Sequence, residues 1–365
     1  MSLKKDNFTN FDKKIMRFAI NLANNNKGLT GINPSVGCVI VKDNNIISSG
    51  VTNINGTPHA EAVALNKNKK KVFGSTVYTS LEPCSHYGKT PPCTNALIES
   101  KVKKVFFSIS DIDFRVRNKS KNKLKKKKII VKTGLLSREV NKIYKSYKFI
   151  KKNNLPYITG KIACSSNFYI LKNKNFITNE HSRKVSHLLR YKNQGLLTSY
   201  KTVNSDNPML NCRLNGLEKF SPKRLIIDKN LKISVKSNVV KTSNKFKTYI
   251  FHNSTNTKKI NNLKRYGVKL IKQDVIINGY FDLNKLFKNI YNLGIHYVLV
   301  ECGKKLTYRM LKSNFFNEFY LFKSCNKIKN REKISVLNIN KSLKIFKRKI
   351  QVNTFLDKDK LIHYY

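Results

Sequence analysis

The first apolar side chains of the chain recur three or four residues apart. This spacing predicts an amphipathic helix over about 12–26. The positions that define it are Phe11, Ile15, Phe18, Ala19 and Leu22. Gly28 follows as a suitable C-terminal stop. The chain therefore opens with a helix that has one face to bury.

Short apolar runs and helical stretches then alternate. A buried strand over 37–41 is followed by a turn at 43–45 and a second strand over 46–48, which together predict a hairpin. Helices are predicted to begin at His59 and at Cys93, and another over about 137–152. Further strands are predicted over 76–79 and 105–109. This alternation is typical of a layered α/β domain.

The second half repeats the alternation without an internal repeat. Helices are predicted over 178–191 and 283–292. The predicted strands are 157–163, 196–198, 224–228, 248–251 and 297–301. We therefore expect two α/β domains: residues 1–150, a linker over 151–156, and residues 157–365.

Length and composition are compatible with this organisation. The chain has 365 residues, 40% of them hydrophobic, and no run of about 18 apolar residues, so a membrane span is not expected. The basic residues near Met1 are not followed by an apolar segment of the signal-peptide type. The seven cysteines are odd in number and scattered, which does not resemble a disulfide framework. We expect a cytoplasmic protein.

The formal net charge is +53, which raises the question of nucleic-acid binding. The lysines, however, are spread along the whole chain together with many Asn and Ile residues. The densest run, 119–128, has no interleaved aromatic side chains to stack on bases. We interpret the charge as a bias of composition and expect no nucleic-acid partner, while an anionic small molecule would benefit from it.

One group of residues carries recognisable chemistry. His59, Cys84 and Cys93 are ligand types for Zn²⁺, and three such ligands leave the fourth tetrahedral position free for water. Bound zinc lowers the pKa of that water from about 15.7 to about 7. Glu61 lies two residues after His59, is not needed as a ligand, and can move protons. This pattern is typical of zinc-dependent nucleotide deaminases, and we expect Glu61 to be catalytic.

The eight residues between Cys84 and Cys93 carry a closer resemblance. Residues 82–93 read Glu-Pro-Cys-Ser-His-Tyr-Gly-Lys-Thr-Pro-Pro-Cys. With 33–41 and 57–62, they resemble the bifunctional riboflavin-biosynthesis deaminase/reductase family over nearly the whole chain. The resemblance implies a cytidine-deaminase-like α/β/α first domain. It also implies that Asn33 contacts the substrate ring and that Lys89 pairs with the substrate phosphate. Asp113 stands where that family usually has an amide.

For the second half, the resemblance implies a dihydrofolate-reductase-like α/β domain that uses NADPH. Residues 202–213 resemble the family pattern Thr-Val-x-x-Asp-Asp-Pro-x-Leu-x-x-Arg. The implied substrate contacts are Arg190, Leu210, Arg213 and Glu301. The implied cofactor contacts are Ala163, Cys164, Phe176, Thr202, Asp206 and Gly303. Lys161 is our candidate proton donor.

The implied substrate is 2,5-diamino-6-(5-phosphoribosylamino)pyrimidin-4(3H)-one. The chain would deaminate it with Zn²⁺ and then reduce the ribosyl group to a ribityl chain with NADPH. Two alternatives remain: a deaminase with an inactive reductase-like domain, and a nucleic-acid deaminase acting on tRNA adenosine. The sequence leaves a homo-oligomer open and predicts no membrane partner.

Overall fold

The computed structural model describes residues 8–88, 90–171, 176–274, 279–328, 333–335 and 341–365. The chain divides into two compact units, Met1–Asn154 and Leu155–Tyr365. In the part of the chain that the structure describes, no helix is long and apolar enough to cross a membrane.

The first unit is a five-stranded sheet with helices. The strands are β1 (Gly37–Lys42), β2 (Asn45–Val51), β3 (Thr76–Leu81), β4 (Lys104–Ile109) and β5 (Ile130–Thr133). The helices are α1 (Asn10–Asn25), α2 (Ala60–Lys67), α3 (Cys93–Glu99), α4 (Lys119–Lys126), α5 (Ser137–Ile143) and α6 (Lys145–Asn153). The sheet order is β2-β1-β3-β4-β5, with β3, β4 and β5 parallel.

The expected hairpin is present, because Lys42 pairs with Asn45 across a two-residue turn. Asp43 and Asn44 both have positive φ, as the hairpin turns that match strand twist require. Gly37 lets α1 approach β1 closely, since a Cβ atom there would collide with the Ala19 carbonyl. The first unit therefore packs one helix directly on the start of its central strands.

Two expected helix boundaries were wrong. α1 begins at Asn10 rather than near Asp12, because Thr9 and Asp12 form a capping box. The helix expected over 137–152 is broken at Tyr144, whose buried hydroxyl bonds Ser80 and the Ser35 carbonyl. α6 continues to Asn153, so the first three residues of the expected linker 151–156 are helical.

The second unit is built on a nine-stranded sheet. Its strands are β6 (Tyr157–Cys164), β8 (Gly195–Ser199), β9 (Lys223–Ile227), β10 (Thr248–His252), β11 (Lys269–Lys272), β12 (Tyr297–Val300), β13 (Glu318–Lys323), β15 (Lys349–Gln351) and β16 (Lys360–Tyr364). A separate pair is formed by β7 (Tyr169–Leu171) and β14 (Lys333–Ser335). The helices are α7 (Glu180–Tyr191), α8 (Tyr200–Asp206), α9 (Asn238–Lys241), α10 (Thr257–Arg265), α11 (Leu283–Asn292) and α12 (Lys304–Lys312).

The sheet order is β11-β10-β9-β8-β12-β6-β13-β16-β15, parallel from β11 to β13 and antiparallel beyond. β8, β12 and β6 are therefore adjacent, and their carboxyl ends lie at one edge. Ligands of open parallel sheets bind at that edge. The residues that follow these three strands become the candidates for a second site.

Candidate active sites

Three strand and helix ends bring the predicted zinc ligands together. His59 precedes α2 as its N-cap residue, with extended backbone. Cys84 follows the end of β3, and Cys93 is the first residue of α3. Each ligand thus lies at a junction whose backbone geometry is fixed by the elements on either side.

The ligand atoms have the spacing that a tetrahedral zinc ion needs. The Sγ atoms of Cys84 and Cys93 lie 3.5 Å and 3.4 Å from Nδ1 of His59, and all three ligand atoms lie within 4.8 Å of one another. For Zn–S and Zn–N bonds of about 2.3 and 2.0 Å at tetrahedral angles, the S···N separation is roughly 3.5 Å. The three residues therefore fit Zn²⁺.

The two cysteine ligands differ in acidity. The Cys93 thiol and the His59 ring bond to the Cys84 sulfur and lower the pKa of Cys84 to about 4 against the effect of burial. The backbone N–H of Cys93 also donates to that sulfur, at 3.2 Å. Bonding to Cys84 and burial raise the pKa of Cys93. A thiolate is therefore already favoured at one ligand position, and thiolates are the form that binds zinc.

Glu61 lies beside this ligand set in the first turn of α2. Its side chain is only 3% exposed, and the Thr79 hydroxyl lies 3.5 Å from Oε1. Burial, followed by the nearby Cys84 sulfur, raises the pKa of Glu61 above its ordinary value, against the effects of His59 and Cys93. A buried carboxyl group that holds a proton more readily than usual suits a residue that must both accept and return protons.

The loop between the cysteines supplies further polar groups. Buried Ser85 Oγ and His86 Nδ1 have no hydrogen-bond partner among the described residues. Asn33 donates from Nδ2 to the Gly56 carbonyl at 3.1 Å. Lys89, the expected phosphate contact, lies outside the described residues. The roles of Asn33 and Lys89 stay predictions.

Asp113, which stands where an amide was expected, is held by cations. Arg115 donates to its carboxylate at 2.6 and 2.9 Å, and the Lys151 ammonium lies 3.6 Å away. The bonds from Arg115 hold the pKa of Asp113 well below its usual range. This carboxylate joins its own turn to α6.

Sequence reasoning missed Glu82, which organises the segment after β4. Its carboxylate accepts the backbone N–H groups of Asp111 (3.3 Å), Asn118 (3.1 Å) and Ser120 (3.2 Å). The Ser120 hydroxyl in turn donates to the Pro83 carbonyl at 2.6 Å. The segment is therefore fastened to the residues directly before the ligand Cys84. The signal available in the sequence was an acid placed immediately before Pro83 and Cys84.

In the second unit, Arg190 and Glu301 form a two-bond ion pair. Nε and Nη2 of Arg190 donate to the carboxylate at 2.9 and 2.8 Å, and Nη1 donates to the Asn211 carbonyl at 3.1 Å. Burial opposes ionisation of Glu301, but Arg190 and Lys161 outweigh it and lower the pKa of Glu301 to about 2. Paired geometry of this kind fixes both side chains at the end of β12.

Two more cations lie near this pair. Burial lowers the pKa of Lys161 on β6, and burial followed by Arg190 lowers that of Arg213. Among the described residues, no carboxylate forms an ion pair with either. Three cations and one carboxylate leave an excess of two positive charges, which suits an anion such as a phosphate group.

The other predicted substrate contact, Leu210, has its side chain in the core, 3% exposed, and a positive φ of 52°. The role of Leu210 as a substrate contact stays a prediction. Burial of Leu210 helps fix the segment that carries Asn211 and Arg213.

Four of the predicted cofactor residues end or follow strands at the same sheet edge. Ala163 and Cys164 end β6, Cys164 being buried. Thr202, in α8 after β8, lies with its hydroxyl 3.4 Å from that of Ser199. Gly303 is the exposed N-cap residue of α12, directly after Glu301 and Cys302.

Asp206 and Phe176, the other two predicted cofactor residues, are exposed. Asp206 is exposed at the end of α8. Phe176 is 70% exposed, and the Arg183 guanidinium lies 4.4 Å from its ring centroid. The cofactor roles of all six residues stay predictions.

Sequence reasoning also missed two residues that hold the second site. Buried Arg224 donates to the Met209 carbonyl (3.3 Å), the Phe246 carbonyl (2.7 Å) and the Thr242 and Thr248 hydroxyls (2.8 and 2.9 Å). His187 accepts the backbone N–H of Arg213 at 3.3 Å. Neither has a local sequence signal, because their partners lie far away along the chain.

Comparison with known proteins finds a matching family model in each unit. A family model described as the cytidine and deoxycytidylate deaminase zinc-binding region matches residues 9–109. A second, described as the RibD C-terminal domain, matches residues 167–324.

Relatives cover almost the whole chain. The riboflavin biosynthesis protein RibD of Aquifex aeolicus is 32% identical over 93% of this chain and 95% of its own length. RibD of Escherichia coli is 30% identical over 85% of this chain and 87% of its own length.

Solved structures agree with these matches. RibD of Acinetobacter baumannii superposes with a TM-score of 0.80 at 25% identity, covering 97% of this chain and 98% of that one. A diaminohydroxyphosphoribosylaminopyrimidine deaminase/5-amino-6-(5-phosphoribosylamino)uracil reductase of Thermotoga maritima has a TM-score of 0.79 at 28% identity, with the same coverage.

Proposed function

Because this chain belongs to the RibD family of riboflavin biosynthesis proteins, we propose that it is a bifunctional enzyme with two consecutive activities. The first is hydrolytic deamination of 2,5-diamino-6-(5-phosphoribosylamino)pyrimidin-4(3H)-one. The second is reduction of the resulting 5-amino-6-(5-phosphoribosylamino)uracil to its ribityl form. The observation that carries the first activity is the set formed by His59, Cys84, Cys93 and the buried Glu61.

For deamination, His59, Cys84 and Cys93 would hold the metal, which when bound lowers the pKa of a water molecule to about 7. Glu61 accepts a proton from the attacking water and delivers protons to the ring nitrogen and the departing amine. The C–NH₂ bond breaks, ammonia leaves, and a carbonyl remains. Asn33 would orient the ring and Lys89 would pair with the phosphate.

For reduction, the residues at the carboxyl ends of β6, β8 and β12 fit a nicotinamide cofactor. Gly303 leaves the N-terminus of α12 accessible, with Lys304 and Lys305 in its first turn, and helix N-termini bind phosphate groups. NADPH, when bound, supplies a hydride to C1′ of the opened ribose. Ala163, Cys164, Phe176, Thr202 and Asp206 complete the proposed cofactor contacts.

The substrate would lie against the charged cluster of the second unit. Arg190 and Arg213 suit the phosphate, and Glu301 suits ribose hydroxyl groups. Lys161 would donate the proton that balances the hydride, since burial lowers its pKa and so eases proton release.

The test is incubation of the zinc-loaded enzyme with the diaminopyrimidine substrate, with and without NADPH, followed by mass analysis. We expect replacement of an amino group by a carbonyl and release of ammonia without NADPH, and a gain of two hydrogens when NADPH is added. No NADPH oxidation with the deaminated intermediate would overturn the reductase activity. Activity on a tRNA adenosine instead, falling steeply with salt, would overturn the substrate assignment.

A further inference from the structure

We propose that His187 is a positioning residue of the second site: as a neutral hydrogen-bond acceptor, it fixes the backbone at Arg213 and so places that guanidinium beside Arg190 and Glu301. The proposal rests on the reductase function proposed above and deepens it by explaining how the site recognises a phosphorylated substrate. His187 lies in α7, three residues before Arg190, so both occupy the same side of the helix.

Three hydrogen bonds fasten residues 211–213 to α7. The backbone N–H of Arg213 donates to Nδ1 of His187 at 3.3 Å. The Cys212 thiol donates to the His187 carbonyl at 3.6 Å, and Arg190 donates to the Asn211 carbonyl at 3.1 Å. The segment that carries Arg213 is therefore held by the helix at each of its three residues.

The bond from the Arg213 backbone defines the state of the imidazole. An Nδ1 atom that accepts a hydrogen bond carries no proton, so the ring is neutral with its proton on Nε2. The surroundings favour this state: burial, then the positive charges of Arg190 and Arg213, lower the pKa of His187 to about 4 against the effects of Glu301 and the Asn211 carbonyl. Protonation would replace the acceptor by a donor and add a cation beside two guanidinium groups.

Arg213 needs this support because little else holds it. Its Nη1 atom donates to Oδ1 of Asn211 at 3.4 Å, and no ion pair with a carboxylate is formed in the described segments. Arg190, by contrast, is fixed by Glu301. The position of the second guanidinium therefore depends on its backbone, and a phosphate that uses both groups requires the two to be placed together.

The test compares His187→Ala and His187→Asn with the parent enzyme. The alanine variant has no acceptor, whereas the asparagine amide oxygen can accept the Arg213 N–H. We expect His187→Ala to raise the reductase KM about tenfold, equivalent to about 1.4 kcal/mol, with a smaller change in kcat, and His187→Asn to recover most of the loss. Deamination by the same chain should be unchanged.

Two controls separate positioning from a general structural effect. His181→Ala changes a histidine of the same helix whose ring packs on Phe355 instead, and should leave the KM unchanged. The dephosphorylated substrate should respond much less to His187→Ala than the phosphorylated one, because the placement of Arg213 matters to the phosphate. Equal loss on both substrates, or an unchanged KM, would overturn the proposal.

A binding measurement keeps the two proposals distinguishable. Should the parent enzyme fail to oxidise NADPH with the deaminated intermediate, the reductase function would fall. Calorimetric titration with ribose 5-phosphate would then decide the positioning role: weaker binding in His187→Ala, recovered in His187→Asn, supports it, and equal binding in all three proteins overturns it.

Discussion

In the first unit the candidate metal site comes from residues 59–93, whereas the cluster of the second unit takes Lys161, His187, Arg190, Arg213 and Glu301 from four separate elements and loops. The first set lies at strand and helix ends that are neighbours along the chain. The second exists only after β6 and β12 have paired and α7 has packed. One site depends on local geometry, the other on the register of a large sheet.

Substitution of Glu61, the proposed proton-transfer residue of the first site, should separate the two activities most clearly. Replacing Glu61 by Gln removes proton transfer and keeps the size of the side chain, so ammonia release should fall by about 10²–10⁴-fold. Zinc content, measured by atomic absorption, should not change. NADPH oxidation with the deaminated intermediate should also be preserved; a deamination rate within threefold of the parent would show that Glu61 has another role.

Arg224 tests how far the second site depends on distant packing. Arg224→Met leaves two buried carbonyl groups and two hydroxyl groups without this donor, and should lower the stability of the second unit by about 3 kcal/mol. Reductase activity should be lost at lower temperature, while the thermal loss of deamination stays as in the parent. Arg224→Lys keeps the positive charge but lacks the several guanidinium donors, so the stability of its second unit should lie between those of the parent and Arg224→Met. Equal thermal shifts in both activities would contradict the assignment.

Low pH should destabilise the second unit through protonation of Glu301. Because its pKa is lowered from an ordinary 4.5 to about 2, its contribution is fully present above about pH 4.5 and is lost as the pH falls towards 2. We expect the unfolding free energies of the parent and Glu301→Gln to differ by about 2 kcal/mol at pH 6. The difference should shrink below pH 4 in denaturant titrations; a constant difference would mean that the lowered pKa does not contribute.

The smallest expected effects concern phosphate recognition. Lys89→Met should raise only the deaminase KM, and Arg213→Met only the reductase KM, each about tenfold, since each variant would lose one proposed charge-assisted contact with the phosphate. Steady-state kinetics of both reactions with both variants check this. An effect of either variant on the other reaction would show that the two sites are not independent.

The contrast also explains what could be predicted from the sequence. The candidate zinc ligands and Glu61 could be selected from the sequence because their spacing and the helix starts lie in one stretch, and the structure brings the three ligand atoms within 4.8 Å of one another. The strand ending before Glu301 was visible as an apolar run. His187 and Arg224 were not predictable, because each bonds to segments that only the folded sheet brings near.

The lysine-rich composition also made some helices and strands difficult to predict from the sequence. α4 reads Lys-Ser-Lys-Asn-Lys-Leu-Lys-Lys and buries only Ser120 and Leu124, so it offers almost no apolar periodicity, although lysine favours helices. β15 and β16 are likewise rich in polar or charged residues and lie at one end of the sheet. The misplaced start of α1 is a different case, since Thr9 and Asp12 were a readable capping signal.

Arg190 and Arg224 each donate several directed hydrogen bonds, and this affects how arginine positions in the sequence can be interpreted. Arginine accounts for only 12 of the 73 Lys and Arg residues, so guanidinium groups are few in this chain. A lysine cannot reproduce a planar, multiply bonded contact, and selection should therefore retain arginine where that contact is required. In a lysine-rich relative of this chain, an arginine at the position of Arg190 or Arg224 is therefore expected to mark a constrained position more reliably than a lysine on the surface.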